Sequence, residues 1–242
     1  MKTFTFFTAF LFLTNIVMLA QSGITIHSGG TVTINGNLSI TPFVCGTPLT
    51  DARDGKTYNT VLIGTQCWFQ ANLNVGTKVL GSAIQTNNGI IEKYCFNDDE
   101  NNCRTYGGLY QWGEAMQYMT TDGAQGICPA GWHLPTDAEW TTLTDYLGGL
   151  SVAGGKMKEV GSTHWALPNV GATNSSGFTA LPGGFSSVNN GFNDFSDHAY
   201  LWSSSQRDKD YAWYRLLLFN YTGVYQAYNF KEGGYSVRCI KN

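Results

Sequence analysis

The sequence predicts an α+β domain, rich in loops and stapled by disulfides. Three observations carry that prediction. Helical spacing is confined to the stretch from residue 109 to 147, alternating β patterns bounded by turn residues fill the chain from residue 199 onward, and six cysteines form an even set. Helices first and an antiparallel meander last is the order of an α+β fold rather than of alternating βαβ units.

The elements follow in chain order. Met1, Lys2 and Thr3 precede a mostly apolar run from Phe4 to Ala20, with a small residue ahead of Gln21 and Ser22. This is the pattern of a secretory signal peptide, residues 1–20, cut after Ala20. The run is interrupted by Thr8, Thr14 and Asn15, which argues for cleavage over a retained anchor, and no later segment is apolar enough to span a bilayer. From residue 21 to 44 the chain alternates through Ile24, Ile26, Val32 and Ile34, with Gly29-Gly30 and Asn35-Gly36 as turns. That is a short β segment too small for a core of its own. The main domain is expected over 45–242.

Within it, Thr57 to Ile63 and Cys67 to Leu73 form an expected hairpin around Gly64-Thr65-Gln66. Leu109, Trp112, Met116 and Met119 recur at helical spacing and predict a first main helix. Thr136-Asp137-Ala138-Glu139 is a capping box that opens a second, with Trp140, Leu143 and Leu147 on one face and Gly148-Gly149 as its stop. Strands are expected over 199–204, 210–219, 223–230 and 234–240.

Composition excludes some functions. Charged residues make up 13% of the chain, about half of the roughly 25% usual in soluble domains. With a net charge of -3 and no basic block, there is no footprint for a phosphate backbone, so nucleic acid is not an expected partner. No CxxC pair exists and the nearest cysteines, Cys95 and Cys103, bracket an acidic loop, so zinc is not expected either. An even cysteine count in an exported chain points to disulfides, and six cysteines allow 15 pairings.

Several segments together resemble a known family. Asp54-Gly55-Lys56-Thr57-Tyr58 with Gly64-Thr65-Gln66-Cys67-Trp68, Tyr106-Gly107-Gly108-Leu109-Tyr110-Gln111-Trp112, and Cys128-Pro129-Ala130-Gly131-Trp132-His133-Leu134-Pro135-Thr136 are three of them. Gly154-Gly155-Lys156-Met157-Lys158, Gly177-Phe178 with Leu181-Pro182-Gly183-Gly184, and Gly234-Tyr235-Ser236-Val237-Arg238-Cys239 follow in order. They look like the Fibrobacter succinogenes major paralogous domain, over about residues 45–242. Leu134 to Trp140 and Gly234 to Arg238 are also similar to the formylglycine-generating enzyme group, which implies a C-type lectin-like fold with two main helices and a C-terminal antiparallel meander. The resemblance implies a bacterial protein, secreted or held in the cell envelope. In such a topology the chain ahead of the capped helix lies beside the final strand, which implies a Cys128–Cys239 disulfide and leaves Cys95 with Cys103 and Cys45 with Cys67.

Two functional readings follow. One is a non-catalytic binding module for a glycan or surface polymer; the alternative is an enzyme of the formylglycine-generating type. The resemblance implies two reactive cysteines close together late in the domain for that oxidase, whereas only Cys239 follows Cys128 here. Ser203, Ser204 and Ser205 lack the Gly-x-Ser-x-Gly elbow of a hydrolase nucleophile. No catalytic residue is assigned.

Calcium is the one cofactor the sequence offers. Asn97, Asp98, Asp99, Glu100, Asn101 and Asn102 place oxygen ligands between Cys95 and Cys103, as a hard cation needs. The opposing reading is a solvated acidic turn stapled by a local disulfide, since adjacent carboxylates do not all face one ion unaided. His133 is expected to hold the cap loop, and His198 beside Asp197 is the one histidine to test for chemistry. The long stretch from Trp165 to His198 has many polar and few apolar side chains, which marks it as the expected binding face. Asn169, Asn174, Asn193, Asp194, Asp197 and His198 suit hydroxyl-rich ligands, with Trp165 as the stacking face; Tyr221, Tyr225 and Tyr228 are further contact candidates. The opposing reading has aromatic anchors pinning these loops to the core while the amides satisfy loop backbone.

Overall fold

The structure, a computed structural model, describes residues 24–26, 32–34, 43–187 and 191–242. The expected signal peptide, 1–20, lies outside the described residues. The chain divides into two compact units, Met1–Val44 and Cys45–Asn242. In the first, β1 (Ile24–Ile26) pairs antiparallel with β2 (Val32–Ile34), Ile24 opposite Ile34.

The second unit opens with β3 (Leu49–Thr50) and β4 (Thr57–Tyr58), an antiparallel pair. The expected hairpin is present as β5 (Thr60–Ile63) and β6 (Gln66–Phe69), turning at Gly64 with φ 62°. Next, β7 (Thr77–Lys78) and β8 (Glu92–Lys93) pair in parallel. Then come α1 (Glu100–Tyr106), β9 (Leu109–Tyr110), α2 (Trp112–Ala115) and β10 (Trp132–His133). The two main helices, α3 (Asp137–Tyr146) and α4 (Leu150–Met157), are adjacent. A small hairpin of β11 (Phe185–Ser187) and β12 (Gly191–Asn193) precedes the long strands β13 (His198–Gln206), β14 (Tyr211–Leu218) and β15 (Val224–Phe230). The short β16 (Tyr235–Ser236) and β17 (Ile240–Lys241) end the fold.

Two sheets organise the unit. One runs in the order β15-β14-β13-β16-β9 and the other β10-β17-β6-β5. The core lies where α3 and α4 meet both: Trp68, Trp140, Leu143, Met157, Trp165 and Phe178 pack with Leu201, Leu217, Val224 and Ile240. Trp68 and Trp140 approach to 4.7 Å between ring centroids. Each such large side chain contributes roughly 1.5–3 kcal/mol by leaving water, which is what holds a domain with so little regular structure.

The expected helix over Leu109, Trp112, Met116 and Met119 is corrected. Leu109 and Tyr110 are a strand paired with Ser236 and Tyr235, only Trp112–Ala115 is helical, and Gln117 and Tyr118 turn left-handed at φ 49° and 58°. Strand pairing outcompetes helical spacing there, and the second main helix is instead α4, whose Gly154-Gly155 pair masks it in the sequence. The capping box is as expected: the Thr136 hydroxyl accepts the Glu139 N–H at 3.1 Å and the Glu139 carboxylate accepts the Thr136 N–H at 2.8 Å. The last expected strand divides, Tyr235–Ser236 joining one sheet and Ile240–Lys241 the other.

Three disulfides staple the unit: Cys45–Cys67, Cys95–Cys103 and Cys128–Cys239, the pairs that the family resemblance implies. Among the described residues no helix is long and apolar enough to cross a membrane.

Candidate functional site

The expected binding face is largely pinned to the interior. Trp165 is 1% exposed and belongs to the core, its indole N–H donating to the Ala180 carbonyl at 2.9 Å. It therefore cannot stack on a ligand, which corrects the sequence reading. Asn169 is buried too, and its amide donates to the carbonyls of Glu159 at 2.9 Å and Gly161 at 2.7 Å. Asn174 closes its own loop, donating to the Thr179 hydroxyl and accepting the Thr179 N–H, both at 2.9 Å. Asn193 is half-buried in β12 and its amide donates to Gly191 at 3.4 Å.

Asp194 and His198 do come together. The Asp194 carboxylate lies 2.9 Å from His198 Nδ1 and accepts the Tyr200 hydroxyl at 2.6 Å. Burial, and then the bond to Asp194, push the Tyr200 hydroxyl well above its ordinary pKa, so it stays a donor. Asp197 takes part through its backbone, whose carbonyl accepts the Phe219 N–H at 2.9 Å. Among the described residues no serine or cysteine side chain bonds to this group, whose mutual bonds tie the loop end together.

The acidic loop does not gather around one point. Asp98 accepts the Gly81 N–H at 2.8 Å, Asp99 caps α1 by accepting the Asn101 N–H at 2.9 Å, and Glu100 lies 3.7 Å from the Lys93 ammonium. The Asn102 amide donates to the Phe96 carbonyl at 2.9 Å, and Asn97 is exposed at φ 54°. Among the described residues, no group of three or more His, Cys, Asp or Glu side chains is placed to hold a metal ion. Half of the expected loop is the start of a helix, and a helix start takes its carboxylates as caps.

Ammonium and guanidinium groups fill part of that organising role. Lys158 is wholly buried and donates to the carbonyls of Val170, Leu218 and Tyr221 at 2.9–3.0 Å, tying the long loop to the turn after β14. Arg238, also wholly buried, donates to Phe69, Phe178 and Thr179 carbonyls and to the Asn72 side chain at 2.6–3.0 Å.

A half-exposed strip of aromatic side chains lies on the five-stranded sheet. Tyr211 faces Phe230 and Trp213 faces Tyr228 across the β14–β15 ladder, so the four rings share one face. Two positions further on, Arg215 and Gln226 bond to Asp137 at the start of α3 at 2.5 Å and 2.7 Å, and beyond them Leu217 and Val224 are core. The helices cover that end of the face and stop at Asp137, which leaves the aromatic end uncovered. Tyr228 and Phe230 are 43% and 51% exposed, while Tyr211 and Trp213 are half-buried. Ring centroids lie 4.4 Å apart for Tyr211 and Phe230 and 5.4 Å for Trp213 and Tyr228, and the Arg207 guanidinium sits 3.6 Å over Tyr228. Of these, sequence reasoning singled out Tyr228 and none of the other three. The available signal was the matched alternation Tyr-x-Trp and Tyr-x-Phe on either side of the turn between β14 and β15.

Fold and site together define a disulfide-stapled α+β domain with pinned loops and a half-exposed aromatic strip. The chain belongs to the Fibrobacter succinogenes major domain family, whose model matches residues 61–241. No curated protein and no solved structure matches it.

Proposed function

We propose that the chain is a non-catalytic binding module, secreted or displayed in a bacterial cell envelope, that holds a glycan or surface polymer on the strip of Tyr211, Trp213, Tyr228 and Phe230. The observation that carries this reading is four rings in register on one sheet face, left uncovered where α3 begins. Flat aromatic faces bury the apolar side of a pyranose at little entropic cost, and the Arg207 guanidinium and Gln226 amide supply hydroxyl partners at the rim. The pairing of Trp132-His133 with Ile240-Lys241, beside the Cys128–Cys239 bridge, supports a C-type lectin-like arrangement. Three disulfides support export, since such bonds persist in oxidising compartments. The oxidase alternative needs two thiols, and Cys128 and Cys239 are joined to each other.

A glycan array followed by affinity electrophoresis in the retained polysaccharide tests the reading. Trp213→Ala and Tyr228→Ala should each weaken retention about tenfold, since sugar–aromatic stacking is lost with the ring and a tenfold change is about 1.4 kcal/mol. Retention that survives both substitutions, or a wild-type chain that retains no polysaccharide, overturns it.

A further inference from the structure

The chain carries a formal charge of -3, yet the side chains around one cleft lean the other way. Between β4 and α1 lies a cavity of about 290 Å³ whose lining includes Lys56, Tyr58, Asn72, Asn74 and Arg104, with no carboxylate among its described residues. Two ammonium groups converge on one of them. Lys56 donates to the Asn74 carbonyl, and the buried Lys93 donates to that carbonyl at 3.3 Å and to the Asn74 side-chain oxygen at 2.6 Å. Asp54 stands 3.0 Å from Lys56 and Glu100 stands 3.7 Å from Lys93. Arg238 stands behind Asn72, bonded to its side-chain oxygen, and its other hydrogen-bond partners are all carbonyls. Arg104 is exposed and bonds through one nitrogen to Asn101 at 3.2 Å, so the rest of its guanidinium fork is available at the cleft. Lys56 and Arg104 line this opening and Lys93 and Arg238 lie buried behind it, four cations against Asp54 and Glu100, while the neighbouring Asp51 and Arg53 cancel as an ion pair.

That imbalance has a direct chemical meaning. A cleft of one sign with low-dielectric walls concentrates counter-ions, and a bound oxyanion would relieve the repulsion between Lys56 and Lys93. Burial first, and then the charge of Lys56, hold the Lys93 pKa below its ordinary 10.5, in line with that repulsion. The Tyr58 hydroxyl accepts the Asn74 N–H at 3.0 Å and keeps its own proton to donate. The volume sits at the lower end of the roughly 300–1,000 Å³ of small-molecule sites, room for one small acidic unit rather than for a protein.

We propose that this cleft binds an oxyanion, the carboxylate or sulfate of a small acid or of an acidic sugar unit, through Lys56 and Arg104. It stands independently of the aromatic strip. The experiment is calorimetric titration of the full chain at low ionic strength with galacturonate, sodium sulfate, polygalacturonate and neutral galactose. At least one oxyanion should bind and galactose should not compete with it. Binding of the free acid or of sulfate identifies a small-acid site, and binding of polygalacturonate alone identifies a polymer site. The Lys56→Gln, Arg104→Gln double variant should bind at least about tenfold more weakly, as expected when charge-assisted bonds are removed. Either single variant, Arg104→Gln above all because its side chain is exposed, serves if the double variant does not fold. Trp213→Ala should retain acid binding, which separates this site from the strip. Acid binding unchanged in the cleft variants, abolished by Trp213→Ala alone, or absent from the wild type overturns the proposal.

Discussion

The Lys158 ammonium donates to the Tyr221 carbonyl at 3.0 Å from a side chain that is wholly buried, and its other two hydrogen-bond acceptors, Val170 and Leu218, are also carbonyls. Burial pulls its pKa down to about 8, still above neutrality, so the group is charged at pH 7 and all three bonds are charge-assisted. Lys158→Met keeps the length of the side chain but takes the ammonium donor from all three carbonyls, leaving Leu218 only the long 3.4 Å bond from the Tyr221 N–H. It should cost about 3 kcal/mol or more in urea unfolding. A loss under about 1 kcal/mol would mean that water replaces the ammonium and that the lysine does not hold the loop.

Gly154 explains why the same segment carries two glycines inside a helix. A Cβ on Gly154 would sit 2.0 Å from the Gly223 carbonyl oxygen, and one on Gly155 would sit 2.3 Å from that of Gly171. Both obstacles are backbone, and the Gly155 N–H uses the closeness to donate to Thr222 at 2.6 Å. Alanine improves helix propensity by about 1 kcal/mol, but overpacking against backbone costs about 1–3 kcal/mol. With a backbone obstacle at 2.0 Å the cost lies at the upper end, about 3 kcal/mol against about 1, so Gly154→Ala should lower stability by about 2 kcal/mol, while Ser151→Ala on the exposed side of α4 should stay within about 0.5 kcal/mol. A Gly154→Ala chain as stable as wild type would show that α4 can slide away from the turn.

What the sequence made legible was local and covalent. The capping box at Thr136 and Glu139 specifies its helix because both bonds lie within one turn, and the long strands β13, β14 and β15 show themselves by alternation and bounding turns. The exposure of the aromatic strip was not legible. Whether Trp213 is core or surface depends on where α3 ends over the sheet, a relation between residues 137 and 215 that no spacing encodes. Trp165 failed for the converse reason: a tryptophan among polar loop residues looks exposed until Lys158 and the Ala180 carbonyl are placed around it. Burial of the loop amides likewise follows from long-range contacts with carbonyls, which periodicity does not carry.

Asp99 separates the helix cap from the calcium reading of its loop. Its carboxylate accepts the Asn101 N–H at the start of α1, so Asp99→Ala should cost about 1 kcal/mol as a lost cap. The loss should be the same in millimolar calcium and in chelator. A melting temperature that rises with calcium in the wild type and no longer does so in Asp99→Ala would restore the ion site.

His133 and Glu139 link stability to pH. The imidazole bonds the Glu139 carboxylate at 2.9 Å through Nε2 and the Asn242 side-chain oxygen at 2.8 Å through Nδ1, an arrangement that the doubly protonated ring satisfies with two donors. Burial alone would lower the pKa of His133, but the bonds to Glu139 and Asn242 outweigh it and leave the value raised above the ordinary 6.5. For Glu139 burial would raise the value, and the bonds from His133 and Thr136 outweigh it and leave it below 4.5. A raised base stabilises fully below its unfolded pKa and loses that contribution as pH climbs through the folded one. A lowered acid stabilises fully above its unfolded pKa and loses that contribution as pH falls through the folded one. The pair therefore contributes most between about pH 4.5 and 6.5, and the share of His133 declines as the pH rises above 6.5. Urea unfolding across pH 5 to 9 should show that decline in the wild type, and His133→Gln should flatten it while leaving the capping box in place. An identical slope in the two proteins would assign the pH dependence to other groups.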